Sequence, residues 1–167
     1  IRVVGQQGLR FVTRVSKKLL ADLKEIGANE AKYGYVLASA NKLSGVTDNM
    51  TVDTILSNGK KIFSDTSESA KYLTCDGYYV CTALVTMNCT SKSDATTQVC
   101  ARPFVKYTDA NGIERYYYYT EATTSPLNGG YCTSAAAVAN YIVSNNLPGS
   151  QNETLKTVAG FASNSQG

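Results

Sequence analysis

The sequence predicts an α+β domain: a mostly antiparallel sheet with a central tyrosine-rich hairpin, packed by one helix in the N-terminal half and one near the C-terminus. Three observations predict it. Cys100–Thr120 reads as two apolar-rich runs flanking Asp109-Ala110-Asn111-Gly112, a strong turn signal. Residues 8–16 alternate apolar and polar, as a half-buried strand does. Lys17–Ile26 places Leu19, Leu20, Leu23 and Ile26 at helical spacing.

In the first strand, Leu9, Phe11, Thr13 and Val15 face one way, and Arg10, Val12 and Arg14 the other. Ser16 is a good helix N-cap, and Gly27 suits the helix end. Tyr33–Ala40 is a second, mostly apolar strand. Residues 41–60 are rich in Asn, Ser, Gly and Asp and read as an irregular excursion with a brief element at Val52–Leu56. Lys60–Phe63 suits a short edge strand, and Ser64–Ala70 a loop. Tyr78–Met87 is the most apolar run and reads as a central strand, followed by a polar loop at Asn88–Thr97. Pro103 cannot donate a ladder hydrogen bond, so the hairpin's first arm is expected at an edge or bulged there. Residues 121–130 read as loop, Cys132–Ser144 as a helix, and Thr154–Ala162 as one more short helix. The 167 residues suit a single domain. Its compact core is expected over about residues 7–147, with a polar C-terminal extension at 148–167.

Composition narrows the function classes. The chain is 43% hydrophobic and 17% charged, with a net charge of +3 and scattered Lys and Arg, which gives no nucleic-acid footprint. No apolar run reaches membrane-span length. The chain starts at Ile1 rather than Met, as a mature fragment or a module cut from a longer protein does; the second reading is preferred. There is no histidine, which removes Ser-His-Asp and Cys-His catalysis and the commonest metal ligand. No phosphate-binding or dinucleotide-binding glycine motif occurs, and no cofactor or metal is expected. Asp109–Glu114 resembles a scrap of a calcium loop but lacks its third short ligand and late Glu; a plain turn explains it. Asp76, Asp94, Asp109, Glu114 and Glu121 lie in or near the strand region, so a two-carboxylate glycoside hydrolase stays open as a minor alternative, although nothing selects a pair.

Five cysteines, Cys75, Cys81, Cys89, Cys100 and Cys132, leave at least one thiol unpaired within a monomer. None is spaced C-x-x-C, which argues against zinc. A hairpin loop at 90–98 would put Cys100 near Met87, so no disulfide follows from register, and most cysteines are expected to be small buried hydrophobes. An exported protein of an anaerobe could keep them reduced, whereas an oxidising compartment would pair two or four of them.

Tyrosine carries the most functional content: 12 residues, against 4 Phe and no Trp. A tyrosine ring offers a flat apolar face and a hydroxyl, which suits both sugar rings and protein interfaces. An ordinary strand role, with one end wet, weighs about equally. In the run Tyr116–Tyr119, alternation sends Tyr116 and Tyr118 to one face and Tyr117 and Tyr119 to the other. The candidate ligand contacts are Tyr116, Tyr118, Arg102, Glu114 and Arg115. Arg10, Arg14 and Arg102 are read first as strand-face or ion-pair residues.

Several landmarks carry a resemblance. They are Gln7-Gly8-Leu9-Arg10-Phe11, Ser16-Lys17 opening a helix, Tyr33-Gly34 before a strand, and Tyr79–Leu84 in the pattern Y-x-x-x-A-L. The stretch from Ala101-Arg102-Pro103-Phe104 through Asp109-Ala110-Asn111-Gly112 and the closing Ala137-Val138-Ala139 complete them. Over about residues 7–143 the chain resembles an accessory module of large secreted or wall-attached proteins of Gram-positive gut and rumen anaerobes. Such modules often neighbour immunoglobulin-like, dockerin or enzyme domains. The cysteines and the Tyr116–Tyr119 run depart from that pattern. The resemblance implies a secreted or cell-surface, non-catalytic module. With the tyrosines, the leading expectation is carbohydrate binding, with a polysaccharide or glycan as partner and no enzyme activity. The alternative is a structural or protein-interaction module that contacts neighbouring domains or a docking partner.

Overall fold

Alternation in the first strand decides how everything else stacks. In the computed structural model, which describes residues 1–40, 51–53, 74–75, 77–118 and 131–163, β1 spans Gly8–Ser16 and buries Leu9, Phe11 and Val15. Ser16 closes the strand and caps α1 (Lys17–Glu25), its Oγ accepting from the Leu19 N–H at 3.4 Å. Gly27 ends the turn after α1 at φ +85°, a conformation only glycine adopts without strain. The chain returns as β2 (Asn29–Ser39).

The remaining described elements are β3 (Thr74–Cys75), β4 (Tyr78–Thr86), α2 (Lys92–Thr96), β5 (Val99–Thr108), β6 (Glu114–Tyr118), β7 (Tyr131–Thr133), α3 (Ala135–Ser144) and α4 (Glu153–Ser163). The fold is α+β and the strand pairs are antiparallel. The described strands form two sheets, where the sequence suggested one. The first has the order β1-β4-β3. In the second, β5 is interior: β2 takes one edge, while β6 and β7 share the other end to end.

Cys100 therefore does not lie near Met87. Strands β4 and β5 belong to different sheets, and 88–98 is a link carrying α2 rather than a hairpin loop. Pro103 also sits in an interior strand. Its missing donor is tolerated because β6 pairs with Phe104–Thr108 and β7 with Val99–Ala101, so that neither of these described strands pairs with Pro103 on that edge.

The sheets pack face to face. Leu9, Phe11 and Ala83 of the first meet Tyr35, Leu37, Val99 and Ala101 of the second. The Tyr35 hydroxyl crosses the interface and donates to the Cys81 carbonyl at 2.8 Å, with Thr13 Oγ1 also 2.8 Å away. At one end of the core stand α2, α3 and α4; at the other, Leu23 of α1 packs with Val15 and Val105. The C-terminal region is no polar extension. Helix α4 buries Leu155, Val158 and Ala159 in the main core beside Ala135, Ala136 and Ala139 of α3. Its apolar positions 155, 158, 159 and 162 keep helical spacing, so the polar residues between them face water.

Helix α3 starts later than its pattern suggested. Tyr131–Thr133 is strand, and Ser134 caps the helix by accepting from the Ala137 N–H at 3.1 Å. The cause is Cys132, which lies opposite Cys100 in the β5–β7 register and is joined to it by a disulfide. Cys81 and Cys89 are buried free thiols, with Cys81 raised to about 11 by burial. The features expected at 41–50, 54–73 and 121–130 lie outside the described residues.

Candidate functional site

The sequence-predicted contacts fall in one region but do not form one surface. The turn between β5 and β6 is built as expected: Asp109 Oδ1 accepts from the N–H of Asn111 and of Ile113, both at 2.9 Å, and Gly112 takes φ +77°. Asp109 Oδ2 also pairs with Arg115 Nε at 2.6 Å. That guanidinium, with the two backbone donors, holds the Asp109 carboxyl below the usual range. Glu114 pairs with Lys106 at 2.9 Å, which lowers it too. Two of the five expected contacts, Arg115 and Glu114, are thus tied into local ion pairs. Both lowered carboxyls are held ionised, the opposite of what a general acid in a two-carboxylate hydrolase needs. Asp76 and Glu121 lie outside the described residues.

Tyr116 and Tyr118 share a face with Phe104, as alternation required. Their rings stack on each other with centroids 5.7 Å apart, and both stand edge-on to Phe104. The register puts Arg102 diagonally across from Tyr118, on the side away from Tyr116, and the Arg102 guanidinium lies 4.6 Å from the Tyr118 centroid. Both faces of Tyr118 are therefore occupied. Its hydroxyl accepts from the Val52 N–H at 3.0 Å. Burial raises the pKa of both tyrosines, and Glu114 adds to the effect at Tyr116. Arg102 itself is only 5% exposed. The expected platform is a stacked, half-buried column. A buried Arg102 is no surface contact, because it is used from within to cover a tyrosine ring.

Four other described tyrosines are exposed. Tyr117, on the opposite face of β6, is 51% exposed; Tyr131 on β7 is 56%, Tyr78 at the start of β4 is 42% and Tyr141 on α3 is 63%. The first three border a trough that sequence reasoning missed; Tyr141 does not line it. One part, of about 470 Å³, lies between Arg10–Arg14 of β1 and Tyr35, Ala101, Pro103 and Tyr131. A second part, of about 190 Å³, shares Thr13, Arg14 and Pro103 and continues past Leu19 to Tyr78 and Tyr117. Among the described residues, no carboxylate lines either part.

One wall of the trough is the outer edge of β1. Gly8 exchanges both backbone hydrogen bonds with Arg2, on the side away from β4. In an antiparallel strand every second residue points its N–H and C=O to the same edge. Arg10, Val12 and Arg14 therefore aim theirs outward, and among the described residues nothing pairs with them. Their side chains are exposed as well, Val12 at 61%. The one signal in the sequence was the outward set Arg10-Val12-Arg14; which strand would be left at an edge was not written there.

Comparisons with protein families, with curated proteins and with solved structures find no match for this chain. Among the described residues, no helix is long and apolar enough to cross a membrane, and no cluster of His, Cys, Asp or Glu is arranged to hold a metal ion.

Proposed function

We propose that this protein is a non-catalytic, secreted or cell-surface interaction module that docks an extended polypeptide segment along the open edge of β1. The observation that carries this reading is the row of backbone groups at Arg10, Val12 and Arg14 that no described residue pairs with, set in a trough beside exposed tyrosines. An extended chain laid there gains a ladder of backbone hydrogen bonds, and its alternate side chains reach the trough. The Cys100–Cys132 disulfide supports an oxidising compartment. The resemblance to accessory modules of large surface proteins points the same way.

A second reading has its own observation. Tyr78, Tyr117 and Tyr131 present exposed rings along the same trough, which suits a glycan chain stacked on aromatic faces. Tyr116 and Tyr118, the pair first expected to do this, are occupied by each other and by Arg102.

Amide chemical-shift mapping of the isotope-labelled protein separates the two. It is titrated with a set of short strand-forming peptides of acidic, neutral and basic character, then with soluble polysaccharides. Peptide-induced shifts centred on Arg10–Arg14 are the expected result. Shifts at Tyr78, Tyr117 and Tyr131 with a polysaccharide, and none with any peptide, would replace docking with glycan binding.

A further inference from the structure

We infer that the segment docking on β1 is acidic, with two carboxylates four residues apart flanking a β-branched stretch. The inference rests on the docking reading above and adds the chemistry of the partner. Arg10, Val12 and Arg14 point outward on one face, with Arg10 and Arg14 about 13 Å apart at ~3.3 Å per residue. Neither arginine has an ion-pair partner among the described residues, and no acidic residue lines the trough beside them. A strand added to this edge places its own side chains directly opposite Arg10, Val12 and Arg14. Carboxylates suit the outer two positions, and a β-branched residue suits the middle one over Val12. The two intervening side chains of the added strand turn inward toward Pro103 and Tyr131, so apolar residues belong there. The pattern is acidic, apolar, β-branched, apolar, acidic. It reads the same in both directions, so it holds for a parallel or an antiparallel partner.

The same residues disfavour a second copy of this chain. Antiparallel pairing of β1 with β1, centred on Val12, sets Arg10 of each copy against Arg14 of the other. Like charges directly opposite are destabilising, and charged residues on an edge strand are a common guard against self-pairing. That register is thus disfavoured, whereas an acidic strand is complementary to the edge.

The test uses blocked peptides built on Glu-Val-Thr-Val-Glu, with Gln-Val-Thr-Val-Gln and Lys-Val-Thr-Val-Lys as companions, measured by fluorescence anisotropy and mapped by amide shifts. The acidic peptide is expected to bind tightest and the basic one weakest. Replacing Arg10 or Arg14 by Gln should weaken the acidic peptide about two- to fivefold each, the size of an exposed ion pair. Raising the salt should act in the same direction. A version of the peptide with alternate backbone amides N-methylated should not bind, because charge alone does not make the ladder. Val12→Pro should also abolish binding. Its lost N–H points outward, so the β1–β4 ladder is left intact, and circular dichroism reports whether the fold survives. If Val12→Pro does not fold, the Gln variants and the N-methylated peptide still decide the matter. Equal binding of all three peptides at β1 would overturn the acidic partner and leave docking standing. No binding of any peptide would overturn docking itself, and the acidic partner with it.

Discussion

At the scale of single residues, the placement of the tyrosines depends on one glycine. Phe104 sits opposite Gly34 in the β2–β5 register, and a Cβ at Gly34 would lie 2.5 Å from the Phe104 ring. The missing side chain lets the tip of the Phe104 ring close onto Gly34, and Tyr116 and Tyr118 stand edge-on to that ring. Adding a methyl group there forces the ring outward into the column. Gly34→Ala is expected to destabilise the protein by about 1–3 kcal/mol, as overpacking of a filled core does, when measured by denaturant unfolding. The same variant should disturb the aromatic signals of Tyr116 and Tyr118 before those of Tyr78 or Tyr131. An unchanged unfolding midpoint would mean that Phe104 moves aside freely. The sequence shows a glycine inside a strand pattern, and that is a hint of close approach. It does not say which ring comes close, since that depends on the register of two strands 70 positions apart in the chain.

At the scale of elements, β7 is the one that most needs outside help. It is three residues long, and it shares one edge of β5 with β6, pairing only with Val99–Ala101. The Cys100–Cys132 bridge holds it there, closing a loop with a sequence separation of 32. A loop of that length is expected to contribute about 3–4 kcal/mol, chiefly by restricting the unfolded chain. Replacing both cysteines by Ala, or reducing the bridge, should lower stability by that amount and loosen β7, with faster amide exchange at Cys132 and Thr133. Because Tyr131 borders the trough, peptide binding should weaken with it. If the double Ala variant and the reduced protein are as stable as the oxidised one, the bridge contributes nothing and β7 is held by pairing alone. Turn chemistry and helix caps were legible at this scale. Asp109–Gly112 and Ser16 act locally, within a few residues, so their types suffice. Element β7 was not legible, because three residues carry too little period to distinguish strand from the first turn of a helix.

At the scale of the whole molecule, the described elements form two sheets with helices at both ends of the core between them, and α4 belongs to that core. Leu155, Val158 and Ala159 are buried against α3 and beside residues of both sheets. Leu155→Ala is expected to cost about 2–5 kcal/mol, the range for deleting a buried leucine side chain. Against a total stability of roughly 5–15 kcal/mol, that is a large share. The loss should show as a single cooperative transition at lower denaturant, with α4 and the sheets melting together. A variant in which α4 melts first while the sheets keep their midpoint would show α4 to be peripheral.

What the sequence determined by itself is everything that depends on neighbours a few residues away: the α+β class, the turn at Asp109–Gly112, the cap at Ser16, and which side chains of each strand share a face. Period-two alternation correctly put Tyr116 with Tyr118, and Arg10 with Val12 and Arg14. What only the tertiary structure decided is which of two allowed faces or edges meets water. Strands β4 and β5 went to separate sheets, Cys100 met Cys132, Tyr117 rather than Tyr118 was left exposed, and β1 kept an edge that no described strand covers. The physical reason is that alternation is symmetric: either face of a strand can be the inner one until a partner covers it. Coverage comes from residues far away in the chain, such as Arg102 over Tyr118 or α4 over the sheets.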